Sequence, residues 1–256
     1  MTLEAATETV REQDPDRFGA VLAAAPDQRP ALVTLYALNL ELARAPFQSA
    51  EPMLAEMRLQ WWVDRLAEMG QGTEPPLHDV LTPLWESWGT SAGAFADLAE
   101  ARRRDCAREP FTGPDEVIDY IDATSGRLMW FAAQRLGANT ASQPVVADHA
   151  RGVGLAAWLR ALHQLQPLGL GFQHETPEHA VELAKAAQES LRLASRRHKL
   201  VAKQAAAALY PGPRIPRLLA EIASGRLDPY KDASEITPFQ RRASLARLAL
   251  TGRWWR

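Results

Sequence analysis

An all-α protein is the fold class this sequence predicts, and three observations predict it. The 256 residues include 45 Ala and 33 Leu, both strong helix formers, against 11 Val and 5 Ile, the β-branched residues that favour strands. Apolar residues recur at three- and four-residue spacing over long stretches. Pro and Gly stand where such stretches begin and end. A chain of this length can bury a large core, and no long linker divides it. One domain over 1–256 is expected, with 1–13 as a candidate mobile segment.

The elements follow in order. Asp14-Pro15-Asp16 opens a helix with an N-cap and a Pro at the first position, and Phe18, Val21 and Leu22 lie along it. Pro30 starts the next, which carries Leu32, Leu35, Tyr36, Leu38 and Leu42 up to Pro46. Glu51-Pro52 starts a third that runs through Met53, Met57, Trp61 and Leu66 to Gly70. Helices are then expected over Leu77–Trp88 and Ser91–Arg108, parted by Gly89. Thr112 is the expected cap of a helix that begins at Pro114, has acids in its first turn and stops at Gly137. Pro144 precedes a helix over Val145–Gln164. Glu178–Tyr210 reads as one long basic helix, broken by Pro211-Gly212-Pro213. Shorter helices over Pro216–Ser224 and Pro238–Trp255 complete about ten.

Composition excludes several function classes. With Cys106 as the one cysteine, neither an internal disulfide nor a cysteine-based zinc site is expected. No apolar run approaches a membrane span, and the acidic, polar first residues do not read as a targeting segment. A cytoplasmic protein is the expectation. His174-Glu175 and His179 echo a zincin helix, but the five-residue spacing and Pro177 put the two imidazoles on different faces. No glycine-rich phosphate loop or nucleophile motif is present. The net charge of −2 conceals a polarity. Residues 1–191 hold 15 Lys and Arg against 27 Asp and Glu, whereas residues 192–256 hold 14 against 4. The basic end suits an anionic membrane surface or an acidic partner, or is a solvated face beside the acidic helices. It carries no nucleic-acid motif, so no nucleic-acid partner is expected.

One stretch is more specific. Leu35-Tyr36-Ala37-Leu38-Asn39 through Arg44, followed by Glu51-Pro52-Met53-Leu54 and Arg58-Leu59-Gln60-Trp61-Trp62, resembles the squalene/phytoene synthase family. Ala101-Arg102-Arg103-Arg104-Asp105, Tyr120 to Gly126, and Gly152 to Leu162 resemble three further blocks of that family. The resemblance implies an isoprenoid-synthase-type bundle of helices around a central cavity. In active members, two Asp-rich motifs hold Mg²⁺ ions that neutralise a departing diphosphate. On the alignment the resemblance supplies, the first motif's three Asp positions fall on Ala43, Arg44 and Phe47, and the second motif's on Ala161 and Leu165. None is a carboxylate. The pattern therefore resembles a degenerate branch, the one that includes the mitochondrial complex I assembly factor and its bacterial relatives.

The resemblance implies a non-catalytic protein with no catalytic residues, no metal ligands and no cofactor. Its partner would be an isoprenoid-like lipid or a membrane protein complex, met at the periphery of the inner membrane. The alternative is a prenyltransferase that condenses prenyl diphosphates with altered Mg²⁺ ligands: Glu41, Asp105 or the Asp115, Asp119 and Asp122 cluster. Candidate cavity residues are Tyr36, Asn39, Arg44, Glu56, Arg58, Gln60, Trp61, Asp105, Tyr120 and Arg160. Glu56 and Gln60 share a helix face, either as inward groups near a head group or as helix–helix bonding residues. Arg44 and Arg160 are suited to an anionic head group without metal, or else pair with acids such as Glu41 and Glu56. Asp105 and Tyr120 read equally as buried hydrogen-bonding residues. Trp254-Trp255 between arginines suits a membrane interface or partner groove, or docks back on the chain's own helices.

Overall fold

The computed structural model describes residues 3–49, 51–232 and 235–255. Helix dominates. Among the described residues the β-type pairing is an isolated parallel bridge between Phe111 and Phe172, with no strand. The class is all-α, as composition predicts. Within the 1–256 expected as one domain, the chain packs as two compact units, Met1–Ala107 and Arg108–Arg256.

The first unit begins with α1 (Leu3–Gln13). Ala6 and Val10, one turn apart, are the buried residues of this helix, and α1 lies on the third helix. Asp14 caps α2 (Pro15–Val21), accepting the Arg17 backbone N–H at 3.0 Å. Helix α3 (Arg29–Arg44) is apolar nearly all round, and Leu32, Leu35, Leu38 and Leu42 are wholly buried. It is the axis on which the earlier helices pack. Helix α4 (Pro52–Gly70) starts at its Pro and ends at its Gly as expected. It buries Ala55, Leu59, Trp62, Leu66 and Met69 and leaves Met53, Leu54, Met57 and Trp61 exposed.

Two expected helices of this unit differ. Helix α5 (Leu81–Trp88) starts later than Leu77. His78 Nδ1 accepts the Val80 N–H at 3.1 Å, and Thr82 Oγ1 accepts the His78 N–H at 3.0 Å, which folds these residues into a turn. The helix expected over Ser91–Arg108 is a 3₁₀ turn at Gly89–Phe95 followed by α6 (Ala96–Glu100) and α7 (Arg103–Ala107). Its buried residues Ala92, Phe95 and Leu98 are three apart, the repeat of a 3₁₀ turn rather than an α-helix. Gly93 lies so close to Gly70 that a Cβ on it would stand 2.5 Å from the Gly70 Cα. Inside this unit Cys106 is buried, and burial pushes its thiol up to about 11.

In the second unit α8 (Pro114–Ile121) continues through a π-helical turn at Asp122–Gly126 into α9 (Arg127–Arg135), so the expected run to Gly137 is present with one wide turn. Thr112 does not cap it: the hydroxyl bonds the Glu116 carboxylate instead, and Gly113 holds the cap position. Helix α10 (Gln143–Leu165) is the centre of this unit. A Cβ on Gly152 would meet the Ala187 carbonyl oxygen at 2.9 Å, and one on Gly154 would meet Ile121 Cγ2 at 2.5 Å. Glycine here allows close packing on both sides. Val117, Ile121, Trp158, Leu159, Phe172, Leu183 and Ile222 belong to the surrounding core.

The long basic helix expected over Glu178–Tyr210 is α11 (Pro177–Arg196) and then two short 3₁₀ turns, His198–Leu200 and Lys203–Ala207. Ala205 to Tyr210 are buried in a row, and the buried His149 ring bonds the Leu209 carbonyl at 2.8 Å. A continuing α-helix would expose part of that row, since its faces alternate with a 3.6-residue period. Helix α12 (Ile215–Ala223) follows. Helix α13 (Pro238–Thr251) is closed by a Thr237–Gln240 capping box at its start and left-handed Gly252 at its end.

Candidate functional site

The residues singled out in the first unit fall into three groups. The most enclosed joins α3 to α7. Arg102 donates from Nη1 to the Asp105 carboxylate at 3.2 Å and from Nη2 to Asn39 Oδ1 at 3.5 Å, with Asp105 4% and Asn39 9% exposed. A buried carboxylate needs such a partner, because an unpaired charge out of water is expensive. Tyr36 lies further back on α3, 4% exposed, with the Arg17 guanidinium 5.4 Å from the centre of its ring. Burial pushes its phenol up to about 12, so it stays protonated at neutral pH.

The second group is on the outer side of α4. Gln60 donates to Asp64 at 2.7 Å and accepts from Arg103, which also donates to Glu100 at 2.9 Å. Glu56 stands 4.0 Å from Arg103 with its side chain more than half exposed. The hydrogen bond from Arg103 holds the Glu100 carboxyl below its ordinary range. Arg58 donates to Gln48 at 3.2 Å. Both Glu56 and Gln60 are exposed, and each meets Arg103 of the neighbouring helix α7. The third group is aromatic: Trp61, Trp62 and His78 have ring centres 5.0–5.4 Å apart. Arg44, at the end of α3, donates to Glu41 at 3.0 Å.

In the second unit Tyr120 packs its ring edge-on to Phe111, 5.5 Å between centres. Arg160 of α10 donates to the Pro213 carbonyl at 3.2 Å. Of the acidic cluster, Asp122 is held by Arg151, whose Nε donates at 3.0 Å; that bond raises the guanidinium's own pKa. Trp254 docks on its own unit, 2% exposed and edge-on to His149 at 4.5 Å, while Trp255 stacks on His198 at 4.0 Å. Sequence reasoning missed Arg17, Arg102, Arg103 and His149 as partners. For Arg102 and Arg103 a signal existed, three consecutive arginines beside an Asp on a helix of mixed character.

Residues 10–164 match the model of the squalene/phytoene synthase family, well over half of the chain. The chain belongs to that family. Among solved structures, a dehydrosqualene synthase crystallised in complex with ligand aligns with a TM-score of 0.76 at 12% identity, covering 96% of this chain and 94% of that one. YisP from Bacillus subtilis subsp. subtilis strain 168 aligns with a TM-score of 0.54 at 15% identity, covering 95% and 94%. At such identities the likeness is one of fold. No curated protein matches the chain.

Squalene/phytoene synthase family membership raises the question of Mg²⁺. The five positions that the resemblance assigns to Asp carry Ala43, Arg44, Phe47, Ala161 and Leu165. Mg²⁺ requires oxygen ligands, and these side chains offer two methyls, an isobutyl, a benzyl and a guanidinium. The residues present do not fit the ion. Among the described residues, no three His, Cys, Asp or Glu side chains converge into a group that could hold a metal.

Proposed function

We propose that this squalene/phytoene synthase family member is catalytically inert and works by binding, either holding an isoprenoid-like lipid or serving the assembly of a membrane complex, in the manner of the complex I assembly-factor branch. One observation carries the reading: all five positions for metal-binding Asp lack a carboxylate, and one carries a fixed positive charge in Arg44. Without those oxygens the charge that develops on a leaving diphosphate has no clamp. Three of the substitute ligands of the alternative reading are engaged elsewhere. Glu41 holds Arg44, Asp105 holds Arg102, and Asp122 holds Arg151.

A binding role gains support from the outer face of α4. Met53, Met57 and Trp61 recur one turn apart and, with Leu54, stay exposed, Met53 at 73% and Met57 at 63%. A clustered exposed apolar stripe is unusual on a monomer and suits a lipid or protein contact. Among the described residues no helix is long and apolar enough to cross a membrane. Contact at the cytoplasmic face of the inner membrane, through the basic residues 192–256, is the arrangement this reading favours.

Purified protein incubated with farnesyl or geranylgeranyl diphosphate, Mg²⁺ and NADPH should release no pyrophosphate and form no C30 or C40 product. Turnover that is lost in Asp105→Asn or Glu41→Gln, with the variants still folded, would overturn the inert reading.

A further inference from the structure

The second unit holds a cavity that none of the family's Asp positions lines. Its volume is about 330 Å³, at the lower end of the range of small-molecule sites. Its apolar wall is made by Leu191 of α11, Ile215 of α12, and the two indoles of Trp254 and Trp255. Three arginines are also among the residues that line it: Arg214 and Arg217 from the start of α12 and Arg247 from α13. Among the described residues no Asp or Glu lines it. Arg217 is tied to Glu221 at 2.7 Å, but the side chain of Arg214 makes no hydrogen bond or ion pair among the described residues.

Arg214 is unusual in a second way. Its φ is +61°, a left-handed conformation that costs a non-glycine residue free energy and clusters at functional sites. Glycine would hold this turn without strain. An arginine there adds a cationic side chain to the lining of the cavity. Arginines with fixed fork geometry match phosphate and carboxylate oxygens, and indoles accept flat or apolar bodies.

We propose that this cavity binds a small amphiphile, an oxyanion head on a short apolar or aromatic body, with Arg214 and Arg247 holding the head and Leu191, Trp254 and Trp255 the body. The site stands apart from the question of prenyl transfer, and it is open whether or not the chain turns over prenyl diphosphates. The head could come from a soluble molecule or from a lipid; the chemistry recognised is the same.

Calorimetry with hexyl phosphate, inorganic phosphate and hexanol tests it on the full chain. Hexyl phosphate should bind, and each half alone should bind about tenfold or more weakly. Two variants should each weaken hexyl phosphate about tenfold or more. Arg214→Gly removes the charge while relieving the left-handed turn, and so keeps the fold. Ser244→Trp fills the cavity from α13 without touching a charge. Vesicles of phosphatidylcholine with phosphatidic acid separate the sources. Retention lost in both variants assigns a lipid head, whereas no retention with hexyl phosphate binding intact assigns a soluble molecule. Failure of hexyl phosphate to bind, or binding unchanged in both folded variants, overturns the proposal.

Discussion

His149 shows how much one side chain reports. It is wholly buried, its Nε2 donates to the Leu209 carbonyl, and its ring meets the edge of Trp254. Burial pulls its pKa down to about 4, against an ordinary value of 6.5, and the bond to Leu209 offsets only part of that. The folded state therefore refuses a proton that the unfolded chain accepts between these values. Stability is full above pH 6.5 and falls as pH drops toward 4, by about 3 kcal/mol in all. His149→Gln keeps a donor for Leu209 and cannot titrate, so urea melts at pH 7 and pH 4.5 should differ less in this variant than in the parent. An equal pH dependence in both would place the acid sensitivity elsewhere. None of this was legible in the sequence, where His149 is one of six scattered histidines and its partner is sixty residues away.

At the scale of elements, punctuation was readable and long-range burial was not. Pro52 and Gly70 bound α4 because Pro suits a first turn and Gly a last one, local effects that any sequence displays. The break at 178–210 has no such mark, and the one at 91–108 has only Gly93 inside it. Helix propensity is otherwise high there, and the chain leaves the α-helix where Ala92, Phe95 and the 205–210 row are buried against other elements. The Gly70–Gly93 contact makes this testable. Gly93→Ala would press a methyl into the backbone of α4, where nothing flexible can move aside. A loss of about 2 kcal/mol in denaturant melts is expected, against a few tenths for Gly113→Ala, where a Cβ meets nothing. The candidate residues on α4 were legible as residue types, but their direction was not. Glu56 and Gln60 share a face by spacing alone, and only packing decides that this face is the exposed one.

For the whole molecule, the fold class followed from Ala and Leu content, and the family from a block between Leu35 and Trp62 that lies on two successive helices. The cavity in the second unit was illegible because its walls come from α10, α11, α12, α13 and the chain end, far apart in sequence and joined by no motif. The +10 charge of residues 192–256 was the trace it left, since all three of its arginines lie there. The same end of the chain also contributes to stability. A chain stopped at Gly252 would lose the Trp254 ring and leave a hole beside His149. It should lose about 3 kcal/mol of stability, and the His149 imidazole should titrate nearer its ordinary value, which NMR would read directly.

Cys106 has a practical consequence. As the chain's one thiol, buried and with its pKa raised, it is a poor nucleophile at neutral pH. To a maleimide or a thiol-exchange crosslinker the native surface is effectively silent. A cysteine introduced at Met57 would then be the sole address for a spin label, a fluorophore or a photo-crosslinker. The exposed stripe of α4 could report what touches it without any other residue of the protein being changed.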